Sequence, residues 1–415
     1  MFALVVCLLL PRFELAVAVG DRRMLLREPA ALAPAPGDGN QAIGEPSAPA
    51  EAFGVRARMR LGEALARCPR LALVPPDPAG VAEAWELVLA RLEGIGAAVA
   101  PEQPGLVCFE ARGLRRLLGG VERVIADARR AVGRPEARVG AGPSRFCALA
   151  AATRARPRRP EVVAGDATAA RAYLGPLPVG LLCTAGVDPE LPAMLERLGV
   201  GTLGALAALP RAAIADRLGE PGLRALDLVR GAGGPPRPRA ARERVGESLE
   251  LPEAASGPQL EHALGLLVDR MLARRERRGR TLRAAALAAR LVEGGTWRER
   301  IAFRESTADP RRLRLALAPH LAELPAPAHT LELVVERFGP PVSDQRPLLD
   351  EAAAARNARL REAVAQARAA AGPDAALRVI DIDPDSRVPE RRTLLAPYDG
   401  ARPDDRRRSG HDGGP

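Results

Sequence analysis

The stretch Phe53-Gly-Val-Arg-Ala-Arg-Met-Arg-Leu-Gly-Glu-Ala-Leu-Ala-Arg-Cys-Pro-Arg-Leu-Ala-Leu-Val-Pro-Pro-Asp77 decides how this chain is read. Phe53-Gly-Val is a turn, and Leu61–Ala66 has helical character with Glu63 early in it. An extended strand then follows, ending in Pro75-Pro76-Asp77. Helical periodicity resumes at Val81–Leu92. Helix and strand alternate over a short span, which predicts an α/β unit.

The same order of pieces resembles the fingers-to-palm passage of Y-family translesion DNA polymerases. There an FGV-R-x-M turn leads into a helix with EAL-x-x-CP and a strand ending in PPD, and all three stand here in register. The resemblance runs from Phe2 to about Tyr398. It implies a multi-domain α/β right hand with an α/β palm, small fingers, a helical thumb with a helix-hairpin-helix, an α+β little finger and a C-terminal extension.

Phosphoryl transfer in that family needs two divalent ions held by carboxylates. The first family carboxylate stands on the first strand, where this chain has Cys7, with Pro11 and Arg12 near the bulky pair that includes the steric gate. A thiol is a poor substitute for a carboxylate toward magnesium. The family's P-x-S-x-DE-x-x-x-D segment matches Pro101–Glu110, with Gly105 and Leu106 at the paired acids. The Y-x-AR that contacts the triphosphate appears as Ala48-Pro49-Ala50-Glu51, where Glu51 repels what an arginine attracts. This combination is most like the non-catalytic ImuB subfamily, and it implies no catalytic residues, no metal and no cofactor. The rival reading is an active translesion polymerase whose metals are held by displaced carboxylates such as Glu14, Glu102 or Glu110.

Composition agrees with a large globular protein. The 415 residues are 47% hydrophobic and carry a net charge of +10, with 61 basic residues that are all arginine. Arginine usage reflects codon bias, but the uncompensated excess suits nucleic acid. A basic nucleic-acid-binding protein unrelated to polymerases would explain the charge and leave the Phe53–Asp77 block unexplained. Cys7, Cys68, Cys108, Cys147 and Cys183 lack zinc or disulfide-scaffold spacing and are expected as reduced core thiols. His262, His320, His329 and His411 lack a second ligand at helical spacing. The apolar Phe2–Leu10 has no preceding basic residue and is broken by Pro11-Arg12, so a buried strand is expected rather than a signal peptide or membrane span. The expected location is the cytoplasm, with no membrane partner.

Farther along, Leu15–Val19 reads as a second short strand and Pro29–Pro49 as a loop. Leu106–Phe109 reads as a core strand, and Leu114–Val132 as a helix or helix pair. Ala137–Ala152 reads as strand, glycine turn and helix; it lacks the GK[ST] or GxGxxG of a phosphate loop. From Pro189 the pattern is helical, and Leu198–Pro210 has the shape of a helix-hairpin-helix turn. Gly199, Gly201 and Thr202 there can approach a DNA phosphate, although an unliganded glycine-rich hairpin has the same sequence. Helix His262–Arg278, strands Leu282–Leu291, Trp297–Phe303 and His329–Phe338, and helix Pro310–Leu324 form the expected little finger. Arg274, Arg275, Arg277, Arg278, Arg280 and Arg283 cluster where its first helix turns into a strand and are candidate phosphate contacts.

The expected boundaries are palm at 1–20 and 68–165, fingers at 21–67, thumb at 166–232, linker at 233–246, little finger at 247–340 and tail at 341–415. In the tail, Asp344-Gln-Arg-Pro-Leu-Leu-Asp350 resembles a sliding-clamp motif through Gln345, Leu348 and Leu349. Ala352–Ala371 reads as a helix and Ala376–Ile380 as a strand. Asp381, Asp383 and Asp385 lack the glycine and closing glutamate of a calcium loop. Arg387–Tyr398 resembles the partner-binding region of the subfamily. The implied partners are primer–template DNA, the sliding clamp, the error-prone C-family polymerase ImuC and an ImuA-type RecA-like protein, acting in SOS mutagenesis.

Overall fold

The computed structural model describes residues 4–341 apart from 36, 38, 40, 232–233, 241–244 and 256, together with residues 360, 363–364, 366–368, 372, 375–381, 387–388 and 392–397. The chain divides into one unit, Met1–Val342, and a second, Ser343–Pro415. The larger unit is built outward from strand β1, Val5–Leu9. β1 lies between β5 (Leu106–Glu110) and β6 (Arg138–Gly142) and is antiparallel to both. Edge strands β4 (Val99–Gln103) and β7 (Glu161–Val162) complete the order β4-β5-β1-β6-β7.

Side chains of a strand alternate between faces, and both faces of this sheet are covered. Val6 and Leu8 enter a core shared with α4 (Pro78–Gly94) and α6 (Val121–Val132), where the Phe13 and Trp85 rings meet edge to face at 5.5 Å. Val5 and Cys7 enter the opposite core, shared with α7 (Arg145–Arg154) and α8 (Ala167–Leu174). The glycines before α7 serve this packing: a Cβ at Gly140 would lie 2.0 Å from the Ala152 amide nitrogen. They allow helix and sheet to touch, and no ligand is needed to explain them.

A small layer pairs β2 (Ala30–Leu32) with β3 (Ala72–Val74) in parallel, beside α2 (Ala48–Ala52) and α3 (Leu61–Arg67). Part of the expected loop 29–49 is thus structured. Buried Ser47 holds it, accepting from the amides of Ala30 (3.0 Å) and Ala50 (3.3 Å) and donating to Glu28 O at 2.7 Å. The helical segment continues with α9 (Glu190–Arg197), α10 (Leu203–Ala208) and α11 (Arg211–Arg230). α11 is kinked where Gly219 takes φ 58°, two residues before Pro221.

A second sheet follows, ordered β10-β9-β11-β8, with β8 Val245–Ala255, β9 Arg280–Leu291, β10 Thr296–Thr307 and β11 Ala328–Pro341. Helices α12 (Pro258–Ala273) and α13 (Pro310–Leu317) close a core over it. In the second unit β12 (Leu377–Asp381) pairs with β13 (Thr393–Pro397). Among the described residues no helix is long and apolar enough to cross a membrane.

Several expectations are corrected. The segment read as a strand at Leu15–Val19 is helix α1, Phe13–Val19, because Leu15, Ala18 and Val19 recur at helical spacing on one buried face. Strand β8 was not foreseen beyond a domain start near Glu247. The helix expected to reach Arg278 ends at Ala273, since Arg274 is extended and Arg278 is left-handed at φ 51°. The helix expected over Pro310–Leu324 ends at Leu317 and continues as a 3₁₀ turn containing Pro319. The five cysteines are not all reduced core thiols. Cys7 and Cys108 stand directly opposite on β1 and β5, Cα to Cα 4.2 Å, and are joined as a disulfide. Cys183 is exposed, while Cys68 and Cys147 are buried and free.

Burial pushes the Cys147 thiol up to about 12, with Glu161 adding to the effect. Without reductant, the folded protein is therefore expected to give one thiol to a disulfide-exchange reagent, Cys183, and slowly, because partial burial raises its pKa as well. Denaturation should expose three and reduction all five. Five thiols in the unreduced, denatured protein would refute the Cys7–Cys108 bond.

Candidate functional site

Of the three positions where the sequence lacks carboxylates, Cys7 and Leu106 face one core of the first sheet, and Gly105 stands in the turn just before Leu106. Cys7 is fully buried and bonded to Cys108. Leu106 is 2% exposed and belongs to the same core. Gly105 sits in the β4–β5 turn with φ 86°, and its carbonyl accepts from the Leu10 amide at 2.7 Å. A Cβ there would stand 2.8 Å from Phe13 Cβ and 2.9 Å from Leu10 O. This backbone has no room for an aspartate at 105.

The displaced carboxylates do not converge on that place. Glu102 is taken by Arg145, whose Nη1 donates to both oxygens at 2.8 and 3.0 Å. Glu110 is exposed at the other end of β5 from Leu106, four residues or roughly 13 Å along the strand. Glu14 lies in the first turn of α1. Among the described residues no group of three or more His, Cys, Asp or Glu is placed to hold a metal ion.

Beside this centre, Arg12 and Glu51 form an ion pair. Arg12 is left-handed at the N-cap of α1, and its Nε donates to Pro46 O at 3.0 Å. The cation at the place expected for the bulky pair thus neutralises the acid at the place expected for an arginine. Glu45 lies close by and was not foreseen. Its carboxylate accepts from the Leu15 amide at 3.1 Å, satisfying one of the free donors of the α1 N-terminus. Burial nevertheless lifts its pKa above the ordinary value of 4.5, more than this hydrogen bond lowers it. Nothing in the sequence around Gly44-Glu45-Pro46 signals that role.

A cleft of about 660 Å³ opens between the N-terminus of α7, the turn 185–188 and α11, lined by Arg145, Gly186, Asp188, Arg224 and Asp227. Arg145 also borders the smaller clefts toward Leu106 and toward Arg237. The glycine turn facing this cleft is the one at Gly186, φ 79°, which sequence reading passed over. Gly199, with φ 82°, Gly201 and Thr202 form the next turn. Gly201 O accepts from the Val179 amide, and Thr202 caps α10 through the Ala205 amide at 3.2 Å.

The arginine cluster divides by role. Arg274 pairs with Glu247. Arg277 donates to Leu272 O and Arg280 O at 3.1 and 2.8 Å, and Arg280 lies 3.9 Å over the Phe338 ring. Arg283 donates to Arg304 O at 2.6 Å. Arg275 and Arg278 are exposed. The clamp-like residues Gln345, Leu348 and Leu349 lie outside the described residues, as do Asp383 and Asp385 and most of the expected tail helix.

Residues 10–153 match the impB/mucB/samB family, the Y-family group that the sequence motifs indicated. Similar curated proteins are each named DNA polymerase IV. That of Ralstonia nicotianae is 29% identical over 239 residues, 55% of this chain and 64% of its own length. That of Caulobacter vibrioides is 28% identical over 183 residues, 43% and 44%. That of Moorella thermoacetica is 28% identical over 234 residues, 55% and 57%. The matches thus span between 44% and 64% of these relatives. A solved DinB from Sulfolobus solfataricus aligns with a TM-score of 0.49 at 15% identity, over 81% of this chain and 99% of that one.

Because the folded-state pKa of Glu45 is raised, its protonated form is favoured in the native state. The resulting stability is fully present below the unfolded value and is lost as pH rises through the folded one. Relative to Glu45→Gln, the wild type is therefore expected to be most stable near pH 4 and to lose ground by pH 7, measured by urea unfolding at both. A difference independent of pH would show that this carboxylate is not desolvated.

Proposed function

We propose that this chain is a non-catalytic, Y-family-like adapter of DNA damage tolerance and induced mutagenesis, most like the ImuB subfamily. It holds primer–template DNA and the sliding clamp while another polymerase synthesises. The observation that carries this reading is the filled metal position: Cys7 is bonded to Cys108, Gly105 has no space for a side chain, and Leu106 is part of the core. Two-metal catalysis needs carboxylate oxygens at that point, and Glu51, at the place where the family has an arginine, is paired with Arg12.

In this reading the net charge of +10 and the exposed Arg275 and Arg278 attract the DNA backbone. Each phosphate neutralised releases counterions, so affinity falls steeply with salt. The segment with Gln345, Leu348 and Leu349 supplies the clamp contact. ImuC and an ImuA-type protein are the partners that the subfamily resemblance brings. The naming of similar proteins as DNA polymerase IV favours a second reading, an active translesion polymerase with displaced carboxylates.

Primer extension on intact and damaged templates, with magnesium and with manganese, separates the two. The adapter reading expects junction binding without incorporation. Incorporation that survives repurification and disappears in Glu102→Ala or Glu110→Ala establishes the second reading. Replacing Arg275 and Arg278 together with alanine is expected to lower the slope of log affinity against log salt by about 2, close to 0.9 per lost phosphate contact. An unchanged slope would remove these arginines from the interface.

A further inference from the structure

One side of helix α4 is occupied from end to end by groups from the second sheet and the segment that leads to it. Its N-cap, Asp77, uses one oxygen to accept from the Gly80 amide at 2.9 Å. The other oxygen accepts from the Thr296 hydroxyl, at the start of β10, at 2.9 Å. Arg298, two residues on, lies 4.0 Å from Glu83 while donating to Glu336 of its own sheet at 2.9 Å. Farther down the helix, Arg239 forks between Glu86, at 2.8 and 2.9 Å, and Glu93, at 2.7 and 3.2 Å. Its side chain is only 16% exposed, and its amide donates to Val99 O of edge strand β4 at 2.9 Å. Glu83, Glu86 and Glu93 follow helical spacing and share a side of α4.

The Gly80 position is shaped for this contact. A Cβ there would stand 2.7 Å from Thr296 Oγ1 and 2.3 Å from Asp77 Oδ2. Glycine in the first turn of a helix is otherwise a poor choice. A Cβ at Gly294 in the β9–β10 hairpin would lie 3.4 Å from the guanidinium of Arg22, three residues past α1.

We propose that the acidic side of α4 is a docking rail for the second sheet and its lead-in segment. The rail fixes that sheet on the first one before any DNA arrives, so the sheet is not a freely tethered domain that DNA must order. The segment 231–239, rich in glycine and proline, has the composition of a flexible tether. Arg239 converts it into a strap. Its ion pairs are half-buried and forked, which makes them less sensitive to salt than exposed pairs.

Hydrogen exchange of the full chain without DNA tests the rail independently of any function. Gly80→Ala should leave α4 helical yet force Asp77 and Thr296 apart, and exchange in hairpin 292–297 is expected to rise tenfold or more. Arg239→Ala should open segment 234–240 and speed the same hairpin, while β1 stays protected in both variants. The charge-reversed combination of Arg239→Glu with Glu86→Arg and Glu93→Arg should restore protection in part. Hairpin exchange unchanged in both single variants overturns the proposal, as does an Arg239→Ala effect confined to 234–240. Should a variant expose β1 as well, Glu93→Gln, which leaves the Glu86 side of the fork in place, decides by the same readings.

Discussion

Everything in the larger unit depends on β1 being a central strand with both faces covered. A strand hydrogen-bonded to β5 and β6 and packed on two cores must be apolar at nearly every position. Leu4–Leu10 satisfies that with a single sulfur in the middle. The same geometry would make a carboxylate at position 7 costly, because an ion facing an apolar core loses its hydration without compensation unless a cation shares the site. A polymerase that binds metal there has that compensation. Here Cys7 stands at the position, bonded to Cys108 directly opposite on β5.

The neighbouring positions follow the same logic of neutralisation. Gly105 accepts a left-handed turn that brings its carbonyl to the Leu10 amide and closes off side-chain space against Phe13. Arg12 and Glu51 cancel each other's charge, and Arg145 cancels Glu102. The result is a centre in which these two acids are each paired with an arginine. Beside it lies the cleft past Arg145 toward Gly186 and α11, where basic and acidic side chains mix.

Helix α4 links the two sheets. Val81, Trp85, Val88, Leu89 and Leu92 fasten it to the first sheet by apolar burial, which is insensitive to direction and salt. Its carboxylates reach Thr296, Arg298 and Arg239 by directional contacts. The first attachment sets where the helix lies, and the second sets what can lie beside it.

The sequence by itself determined the elements whose signals are local. The turn, helix and strand of Phe53–Asp77, the helices from Pro189 onward and three of the four strands of the second sheet follow from periodicity and from proline and glycine placement. The lack of acids at positions 7, 105 and 106 could also be read directly, since it needs only residue identity. Tertiary structure alone decided the rest. Leu15–Val19 is too short for periodicity to separate strand from helix without knowing which side is buried. The joining of Cys7 to Cys108, 101 residues apart, follows from strand register. The pairings of Arg12 with Glu51 and of Arg239 with Glu86 and Glu93 are set by elements far apart in the chain. The arginines after α12 look alike in the sequence, but only the fold gives some of them to carbonyls and a ring and leaves Arg275 and Arg278 exposed. A charge or a thiol acquires its chemistry from what packs against it, and that is set by contacts that no local pattern encodes.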